Sequence, residues 1–451
     1  MNQFFLRLLL VTFTSAIAAV SAAAGERAMF HGDPAHTGVY DSIAPENLAI
    51  KWTFQTGEAI MSSPTVAAGT VYVGSSDNFL YAVDAITGKQ KWKFDAHGNV
   101  SSSPAVNGKI VFVVSLDGNL YAVDADTGAQ KWAFATKGEH RHTAAGMEYA
   151  APATEVMPDQ WDFFLSSPTV VNGVVYFGSG DNFVYAIDAT TGTLRWKFQT
   201  GNVVHASPAV IDGRVYIGSF DAYFYALDAA TGTLVWKFKT GDDNQAHLMT
   251  GIPGSATVAN GLVYFGCRDA NLYALDAKTG GLRWKYSAGG SWIIATPAIF
   301  DGRIYVTTSD SLKFLAFDAL TGAEIYSLPT NIYGFSSPAL AGGHAYFGTF
   351  DGKLHEVDLT RQSYAHEFVT AGFRLNAPRY LDAEGKLKSS EVWIGDTLDD
   401  AIAALRGKVF SMGSILSSPA IHDGVLYFGS VDGTLYALGN HGNSTKQAPA
   451  K

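Results

Sequence analysis

The chain has a single cysteine, Cys267, among its 451 residues. One cysteine excludes an intramolecular disulfide and a C-x-x-C-H haem attachment site, so we expect no haem. No cysteine lies at the end of the N-terminal apolar segment, so a lipid cannot be attached there. Cys267 lies in YFGCRD (264–269), at a position where five related segments of the chain carry serine. We interpret it as a small, semi-buried filler and not as a nucleophile.

Clusters of basic residues are also missing. The chain has 31 Lys and Arg against 41 Asp and Glu, which gives a formal charge of −10. Binding to nucleic acid phosphates needs clustered Lys and Arg, so we expect no nucleic acid partner. The sequence also shows no Gly-rich phosphate loop, zinc-ligand spacing or hydrolase nucleophile elbow. These absences argue against several common enzyme classes.

Long apolar segments are confined to the N-terminus. Arg7 precedes the stretch from Leu8 to Ala19, which is too short to span a bilayer comfortably. The small residues Ala22 to Ala24 follow, so we predict a signal peptide over 1–24 that is cleaved before Gly25. A membrane anchor is the alternative reading of this segment. We expect no transmembrane segment in the mature protein, a periplasmic or secreted location, and a monomer.

An eleven-residue phrase, A-x-D-x-x-T-G-x-x-x-W, recurs along the chain at a spacing of about 40 residues. Such a period predicts four-stranded blades stacked around an axis. The copies are AVDAITGKQKW (82–92), AVDADTGAQKW (122–132), AIDATTGTLRW (186–196), ALDAATGTLVW (226–236), ALDAKTGGLRW (274–284) and, with Tyr in place of Trp, AFDALTGAEIY (316–326).

Eight units begin with a Ser-Pro-like pair, near residues 64, 104, 168, 208, 256, 297, 338 and 419. The last unit stops after LYAL (435–438), whereas KWTFQTG (51–57) resembles a Trp strand that no blade precedes. We therefore predict an all-β, eight-bladed β-propeller of four-stranded antiparallel blades over 25–440. The N-terminal strand at Trp52–Phe54 completes the eighth blade and closes the ring. Residues 441–451 are expected to form a disordered tail.

The residues of the repeated phrase have structural explanations. Asp84 is expected to cap backbone N–H groups in a tight turn, and Gly88 to supply a positive φ there. Trp92 is expected to lie flat between its own blade and the next one. The evenly distributed Asp residues after the second strands, such as Asp77, predict hairpin turns and not metal ligands. None of these residues receives a catalytic role.

Two insertions interrupt the repeat, at about 135–164 and 369–416. Residues Thr397 to Phe410 are predicted to be helical, since Leu398, Ile402, Leu405 and Val409 share one face. Thr397 and Asp400 suggest a capping arrangement at the start of that helix. The alternative is that 378–410 forms a decayed ninth blade. We favour a partly helical insertion before the last blade.

From about residue 30 to 440, the repeated phrase resembles the tryptophan-docking repeat of the pyrroloquinoline quinone (PQQ) quinoprotein propellers. This PQQ-repeat family includes PQQ-dependent alcohol dehydrogenases, which are periplasmic enzymes with calcium beside the quinone. It also includes BamB-type propellers, which scaffold outer-membrane protein assembly and bind no quinone. The resemblance implies the propeller fold, and it leaves these two functions open.

The chain departs from both kinds of relative. The dehydrogenases typically carry adjacent cysteines over the quinone, which one cysteine forbids, and BamB-type proteins usually carry a lipidated cysteine. We therefore expect a binding or assembly platform that uses the loop face around the central channel. Its partner would be an envelope protein or a small-molecule ligand. The alternative is a PQQ- and Ca²⁺-dependent alcohol dehydrogenase, in which the chain would hold PQQ and Ca²⁺.

Ligands of propellers usually lie near the channel, on the face reached by the loops that lead into the innermost strands. Unusual residues in these loops and in the two insertions are therefore candidates for binding a cofactor. They are His142, His205, His247, Trp292, Tyr333 and Arg374. Asp242 and Asp243 are weaker candidates for binding a metal. The alternatives are a hydrogen-bonded loop histidine at His205, channel packing at Trp292 and a solvated acidic turn at 242–243.

Overall fold

The computed structural model describes residues 27–45, 47–145, 154–241, 251–395 and 398–439. Eight antiparallel blades of four strands each stand around a central channel, and a short N-terminal strand adds a fifth strand to one of them. Each innermost strand contacts the innermost strand of the next blade, and the last blade contacts the first. The predicted eight-bladed propeller is therefore confirmed. The predicted signal peptide, C-terminal tail and cap at Thr397 lie outside the described residues.

Each of the first four blades is built from four strands that follow one another in the sequence. Blade 1 contains β3 (Thr65–Ala67), β4 (Thr70–Gly74), β5 (Phe79–Asp84) and β6 (Gln90–Asp95), and blade 2 contains β7 (Ala105–Asn107), β8 (Ile110–Val114), β9 (Asn119–Asp124) and β10 (Gln130–Ala135). Blade 3 contains β13 (Thr169–Val171), β14 (Val174–Gly178), β15 (Phe183–Asp188) and β16 (Leu194–Gln199), and blade 4 contains β17 (Ala209–Ile211), β18 (Arg214–Gly218), β19 (Tyr223–Asp228) and β20 (Leu234–Lys239).

The remaining blades follow the same order except the last. Blade 5 contains β21 (Thr257–Ala259), β22 (Leu262–Gly266), β23 (Asn271–Asp276) and β24 (Leu282–Ser287), and blade 6 contains β25 (Ala298–Phe300), β26 (Arg303–Thr307), β27 (Lys313–Asp318) and β28 (Glu324–Pro329). Blade 7 contains β29 (Ala339–Ala341), β30 (His344–Gly348), β31 (Lys353–Asp358) and β32 (Ser363–Val369), and blade 8 contains β33 (Ala420–His422), β34 (Val425–Gly429), β35 (Thr434–Leu438) and β2 (Ile50–Gln55).

The N-terminal strand closes the ring as predicted. Strand β2 pairs antiparallel with β35, and Trp52 lies opposite Ala437. The same register is found in blade 1, where Trp92 lies opposite Ala82. Because the two ends of the chain share one sheet, the ring is closed between its first and last blades.

Tryptophans hold adjacent blades together. The Trp92 indole donates a hydrogen bond of 2.9 Å to the carbonyl of Ala125 in the next blade. Its ring lies against Gly128, whose φ is +75°. Six of the eight seams between blades carry such an indole bond, made by Trp52, Trp92, Trp132, Trp196, Trp236 and Trp284. The expected role of the repeated Trp is confirmed.

The turn residues also behave as predicted. Asp84 accepts hydrogen bonds from the backbone N–H and the hydroxyl of Thr87, at 2.9 and 2.8 Å. Gly88 follows with a φ of +70°. In the other hairpin turn of the blade, Asp77 accepts a 2.7 Å hydrogen bond from the Tyr81 hydroxyl. Both carboxylates are therefore engaged in turn structure.

Blade 7 departs from the repeat. Glu356 and His366 occupy the paired positions that Ala and Trp hold in blade 1. One oxygen of Glu356 lies 2.9 Å from His366 Nδ1, and the other accepts a 3.2 Å hydrogen bond from Tyr346. The blade that follows has no T-G turn, because β35 and β2 come from opposite ends of the chain. A Trp on β32 would have no T-G turn to pack against.

The strand order defines two faces. The loops that lead into the innermost strands and the Asp turns emerge on one face, called the loop face here. The T-G turns and the first hairpins of the blades emerge on the other, called the turn face. The two insertions connect an outermost strand to the next innermost strand, so both extend from the loop face.

An N-terminal segment, residues 29–40, closes the channel at the turn face. Its carbonyls accept hydrogen bonds from the innermost strands of four successive blades. These are Val210 N to Pro34 O at 2.7 Å, Val258 N to Ala35 O at 2.9 Å, Ile299 N to Thr37 O at 2.9 Å and Leu340 N to Gly38 O at 2.7 Å. Strand β1 (Arg27–Ala28) precedes the segment and pairs with β7. The repeat pattern does not predict this plug.

Two buried histidines fix the plug. His31 lies between the carbonyls of His36 and Pro338, at 2.7 and 3.0 Å. His36 reaches the carbonyl of Ala256 and the hydroxyl of Thr169, so it connects blades 5 and 3. Burial lowers the pKa of His31, and burial beside His31 lowers the pKa of His36 to about 3. Both imidazoles are therefore neutral in the folded protein.

The second insertion is partly helical, as predicted. The first contains the antiparallel pair β11 (Thr143–Ala145) and β12 (Val156–Pro158). The second contains α1 (Ala371–Tyr380), α2 (Ser389–Val392) and α3 (Leu398–Ser411). Helix α3 matches the predicted helix, with Ile402, Leu405 and Val409 buried. The alternative of a ninth blade is wrong, because the described part of 378–410 forms helices where strands would be required. Helix α1 was not predicted.

Cys267 is fully buried, deeper than the semi-buried position expected from the sequence. Its Sγ donates to the carbonyl of Gly251 at 3.3 Å. Burial raises the pKa of the Cys267 thiol, so the group stays protonated and inert as expected. Within the described ranges, none of the helices has the length and apolar composition needed to cross a bilayer.

Candidate functional site

A belt of serines surrounds the channel where the innermost strands begin. At seven of the eight junctions between these described residues, the backbone N–H of one belt residue donates to the hydroxyl of the next blade's belt residue. Ser63 N donates to Ser103 Oγ at 3.1 Å, and Ser418 N returns to Ser63 Oγ at 2.8 Å. The Ser of the Ser-Pro pair is therefore selected by a hydrogen-bonded ring. Other links run from Ser103 to Ser167, Ser167 to Ser207, Ser207 to Ser255, Thr296 to Ser337 and Ser337 to Ser418.

His205 lies just above this belt, on the loop leading into blade 4, between two carboxylates of the first insertion. Its Nδ1 is 2.7 Å from Asp162 Oδ1, and its Nε2 is 3.0 Å from Glu139 Oε1. All three side chains are almost completely buried. Burial opposes the charged form of His205, but the two carboxylates outweigh it and raise the pKa to about 10. The site therefore holds a buried imidazolium between two carboxylates.

Both carboxylates are fully engaged. The oxygens of Glu139 accept from Gly180 N at 2.6 Å and from Ser179 Oγ at 3.0 Å. The second oxygen of Asp162 accepts from His142 N at 2.9 Å. Burial pushes the pKa of Asp162 upward, but the charge and hydrogen bond of His205 lower it overall. The cluster is an internal clamp that fastens the first insertion to blades 3 and 4.

A second buried ion pair lies beside the first. The Arg268 guanidinium of blade 5 donates to Asp159 of the first insertion. It stands between the rings of Phe220 and Trp292, 5.1 and 4.8 Å from their centroids. The ring of His142 stacks on Phe220 at 4.5 Å. Burial lowers the pKa of His142, so its imidazole is neutral.

Aromatic side chains cap the channel at the loop face. The cap combines both insertions with loops of blades 6 and 7, and its rings are those of Trp161, Phe163, Phe164, Tyr333, Phe335, Phe350 and Phe410. The Arg406 guanidinium of α3 donates to the carbonyl of Gln160, which ties the two insertions together. Phe30 of the plug and Phe164 of the cap line the cavity of about 40 Å³ that is left inside.

The predicted site residues are only partly brought together. His205 lies in the buried clamp, and the rings of His142 and Trp292 lie beside it, around Phe220 and Arg268. Tyr333 belongs to the aromatic cap, where its ring is 5.8 Å from that of Phe350. Arg374 lies away from them on α1 and is exposed. His247, Asp242 and Asp243 lie outside the described residues, so their proposed binding roles remain predictions.

Sequence reasoning missed the partners of these residues. Glu139, Asp159 and Asp162 come from the first insertion, where no periodic pattern marks the residues that face inward. Arg268 carried a usable signal, because it follows Cys267 at a position where a large cation is out of place in a repeat of small and apolar residues. A buried charge needs a partner, so Arg268 predicts an inserted carboxylate above blade 5.

A family model described as outer membrane protein assembly factor BamB matches residues 38–159, 158–253 and 245–363. These ranges cover more than half of the chain. The chain belongs to this BamB-type family of propellers. No curated protein has a significantly similar sequence.

Solved structures similar to this BamB-type chain include both kinds of propeller. BamB from Moraxella catarrhalis is 16% identical, with 87% of this chain and 100% of that chain covered and a TM-score of 0.63. A europium-containing methanol dehydrogenase is 15% identical, with 90% and 96% covered and a TM-score of 0.65. A quinohemoprotein alcohol dehydrogenase from Comamonas testosteroni is 15% identical, with 92% and 81% covered and a TM-score of 0.65. At these identities the likeness shows a shared fold.

In the part of the chain that the structure describes, the channel residues of this BamB-type protein do not fit a quinone and its metal. The cavity of about 40 Å³ is far below the roughly 300–1,000 Å³ of small-molecule sites. The oxygens of Glu139 and Asp162 are occupied by hydrogen bonds from protein groups. Over the described ranges, no group of three or more His, Cys, Asp or Glu is arranged to hold a metal ion.

Proposed function

We propose that this protein is an exported binding or assembly platform that engages a protein partner through its loop face. The observation that carries the proposal is that side chains of the protein itself fill the channel. The plug at 29–40 occupies one mouth, and the aromatic cap occupies the other. A catalytic pocket inside the channel would need one of these mouths to open.

The surface of the insertions supports recognition of a protein. Four apolar side chains there are exposed: Leu375 at 80%, Val156 at 63%, Ile394 at 52% and Trp393 at 45%. Tryptophan is enriched among the residues that dominate the binding energy of protein–protein interfaces, and the exposed aliphatic side chains add apolar contact area. The rigid clamp beneath them, with its two buried ion pairs, would hold the insertions in a fixed position for binding.

Export is part of this proposal. The apolar segment after Arg7 and the small residues before Gly25 favour a cleaved signal peptide. A family model of outer membrane assembly factors agrees with an envelope location. We therefore place the partner in the periplasm or at the inner surface of the outer membrane.

Crosslinking to envelope extract tests the proposal. Variants Leu375→Ser and Trp393→Ser should lose the crosslinked partner that the wild-type protein captures. The matched control is Leu320→Ser, whose side chain is 69% exposed but lies on a T-G turn of the opposite face. Equal capture by all three variants, or equal loss in the control, would overturn the assignment to the loop face. Thermal melting of each variant shows that the fold is intact.

A further inference from the structure

Blade 6 carries a cleft of about 470 Å³ on the side of the propeller, away from the channel. One wall is formed by the Asp turn and outer strand of blade 6, at 311–313 and 327–333. The other wall is formed by Lys386 and Leu387 of the second insertion. We propose that this cleft binds a small molecule with an apolar body and a carboxylate group.

The cleft exists because blade 6 lacks a pair of side chains that fills this place in other blades. In blade 1 the ammonium of Lys93 lies 3.9 Å above the ring of Phe79. Blades 3 and 4 repeat the arrangement with Lys197 over Phe183 and Lys237 over Tyr223. By strand register, blade 6 has Lys313 in place of the aromatic residue and Ser327 in place of the lysine. The smaller Ser327 leaves the space open.

The second wall is held close to blade 6 by a tight turn. Leu381 and Leu387 pair across the turn, and the side chain of Asp382 accepts the N–H groups of Glu384 and Lys386. Gly385 has a φ of +77°, and a Cβ there would lie 2.9 Å from Nδ2 of Asn331. The positive φ favours glycine at this position, and the absence of a side chain lets the turn lie against the Asn331 amide. The turn is preorganised as one side of a binding site.

The lining selects for an anionic ligand with an apolar body. Among the described residues that line the cleft, the charged ones are Lys313 and Lys386, although the whole chain has a formal charge of −10. Leu312, Ile332, Tyr333 and Leu387 supply apolar surface between the two lysines. The volume lies within the roughly 300–1,000 Å³ range of small-molecule sites. Each ammonium group can pair with a carboxylate, while the apolar body of the ligand lies on the remaining wall.

Isothermal titration calorimetry with decanoate tests the proposal. Decanoate should bind to the wild-type protein at a single site, and decanol, which lacks the charge, should bind at least about tenfold more weakly. Lys313→Gln combined with Lys386→Gln should weaken decanoate binding by about tenfold or more. Ser327→Phe should abolish it, because the added ring restores the filling found in blade 1.

The control variant is Lys388→Gln, which removes one charge next to the cleft. Its ammonium donates to the carbonyl of Pro378 and is not part of the lining. Absence of decanoate binding to the wild-type protein would overturn the proposal, as would equal binding by the Ser327→Phe and wild-type proteins. These outcomes are independent of partner capture through Leu375 and Trp393, so the two proposals can fail separately.

Discussion

Trp92 lies flat against Gly128 of the next blade, and a Cβ on that glycine would lie 2.9 Å from the indole ring. The glycine is required twice, once for its φ of +75° and once for this contact. The relationship repeats at six seams, from Trp52 on Gly88 to Trp284 on Gly322. The repeated phrase therefore specifies a contact between neighbouring blades as well as a turn.

Gly128→Ala is expected to destabilise the protein more than Gly173→Ala. Gly173 has the same φ of +75°, but nothing lies within 4 Å of its added Cβ. The difference in free energy of unfolding between the two variants isolates the contact with Trp92, and it should be about 1–3 kcal/mol. Urea unfolding measures it. Equal destabilisation would show that the backbone conformation alone requires the glycine.

Trp92→Ala should lower the free energy of unfolding by about 3–5 kcal/mol.

The seam between blades 6 and 7 offers a complementary test. There Tyr326 replaces the Trp, and Gln362, with a φ of +56°, replaces the glycine. Tyr326→Trp alone should be destabilising, because the Cβ of Gln362 occupies the place of the indole. Tyr326→Trp combined with Gln362→Gly should be more stable than the sum of the single changes by about 1–2 kcal/mol. A double-mutant cycle measures this coupling, and additive effects would contradict it.

The architecture was predictable from the sequence because each blade repeats the same turn and packing residues. Ring closure was predictable because Trp52 stands in a strand with no blade of its own. The plug at 29–40 was not, since it binds through backbone carbonyls and two histidines and repeats nothing. The clamp around His205 was found only in part, because Glu139 and Asp162 lie in an insertion without periodicity.

Acid should destabilise the protein through the plug. The folded pKa of His36 is about 3, below its unfolded value, so its contribution to stability is present above about pH 6.5 and is lost as the pH falls toward 3. His36→Asn, which tolerates the φ of +57° at this position, should reduce the loss between about pH 7 and pH 5 by about 2 kcal/mol. His97→Asn is the matched control, since His97 has the same φ and is exposed. Identical pH profiles for both variants in urea unfolding would contradict the burial of a neutral His36.

Raising the pH should destabilise the protein as His205 loses its proton. The pKa of His205 is about 10 in the folded protein, above the unfolded value. The contribution of His205 to the free energy of unfolding is therefore complete below about pH 6.5 and is lost as the pH rises through 10. The ring protons of His205 in an NMR titration should therefore remain those of an imidazolium at about pH 8. His205→Gln should be less stable at neutral pH, because it leaves Glu139 and Asp162 buried without a counter-charge. A midpoint near 6.5 for His205 would contradict the clamp.

Retention of PQQ by the purified mature protein in the presence of Ca²⁺ tests the central claim most directly. Because protein side chains fill the channel, gel filtration should separate all quinone absorbance from the protein, and no alcohol-dependent dye reduction should follow. The His205→Ala, Trp292→Ala double variant should likewise retain no quinone and reduce no dye. Retained quinone in stoichiometric amount, with dye reduction that the double variant loses, would contradict a platform and establish a quinoprotein dehydrogenase.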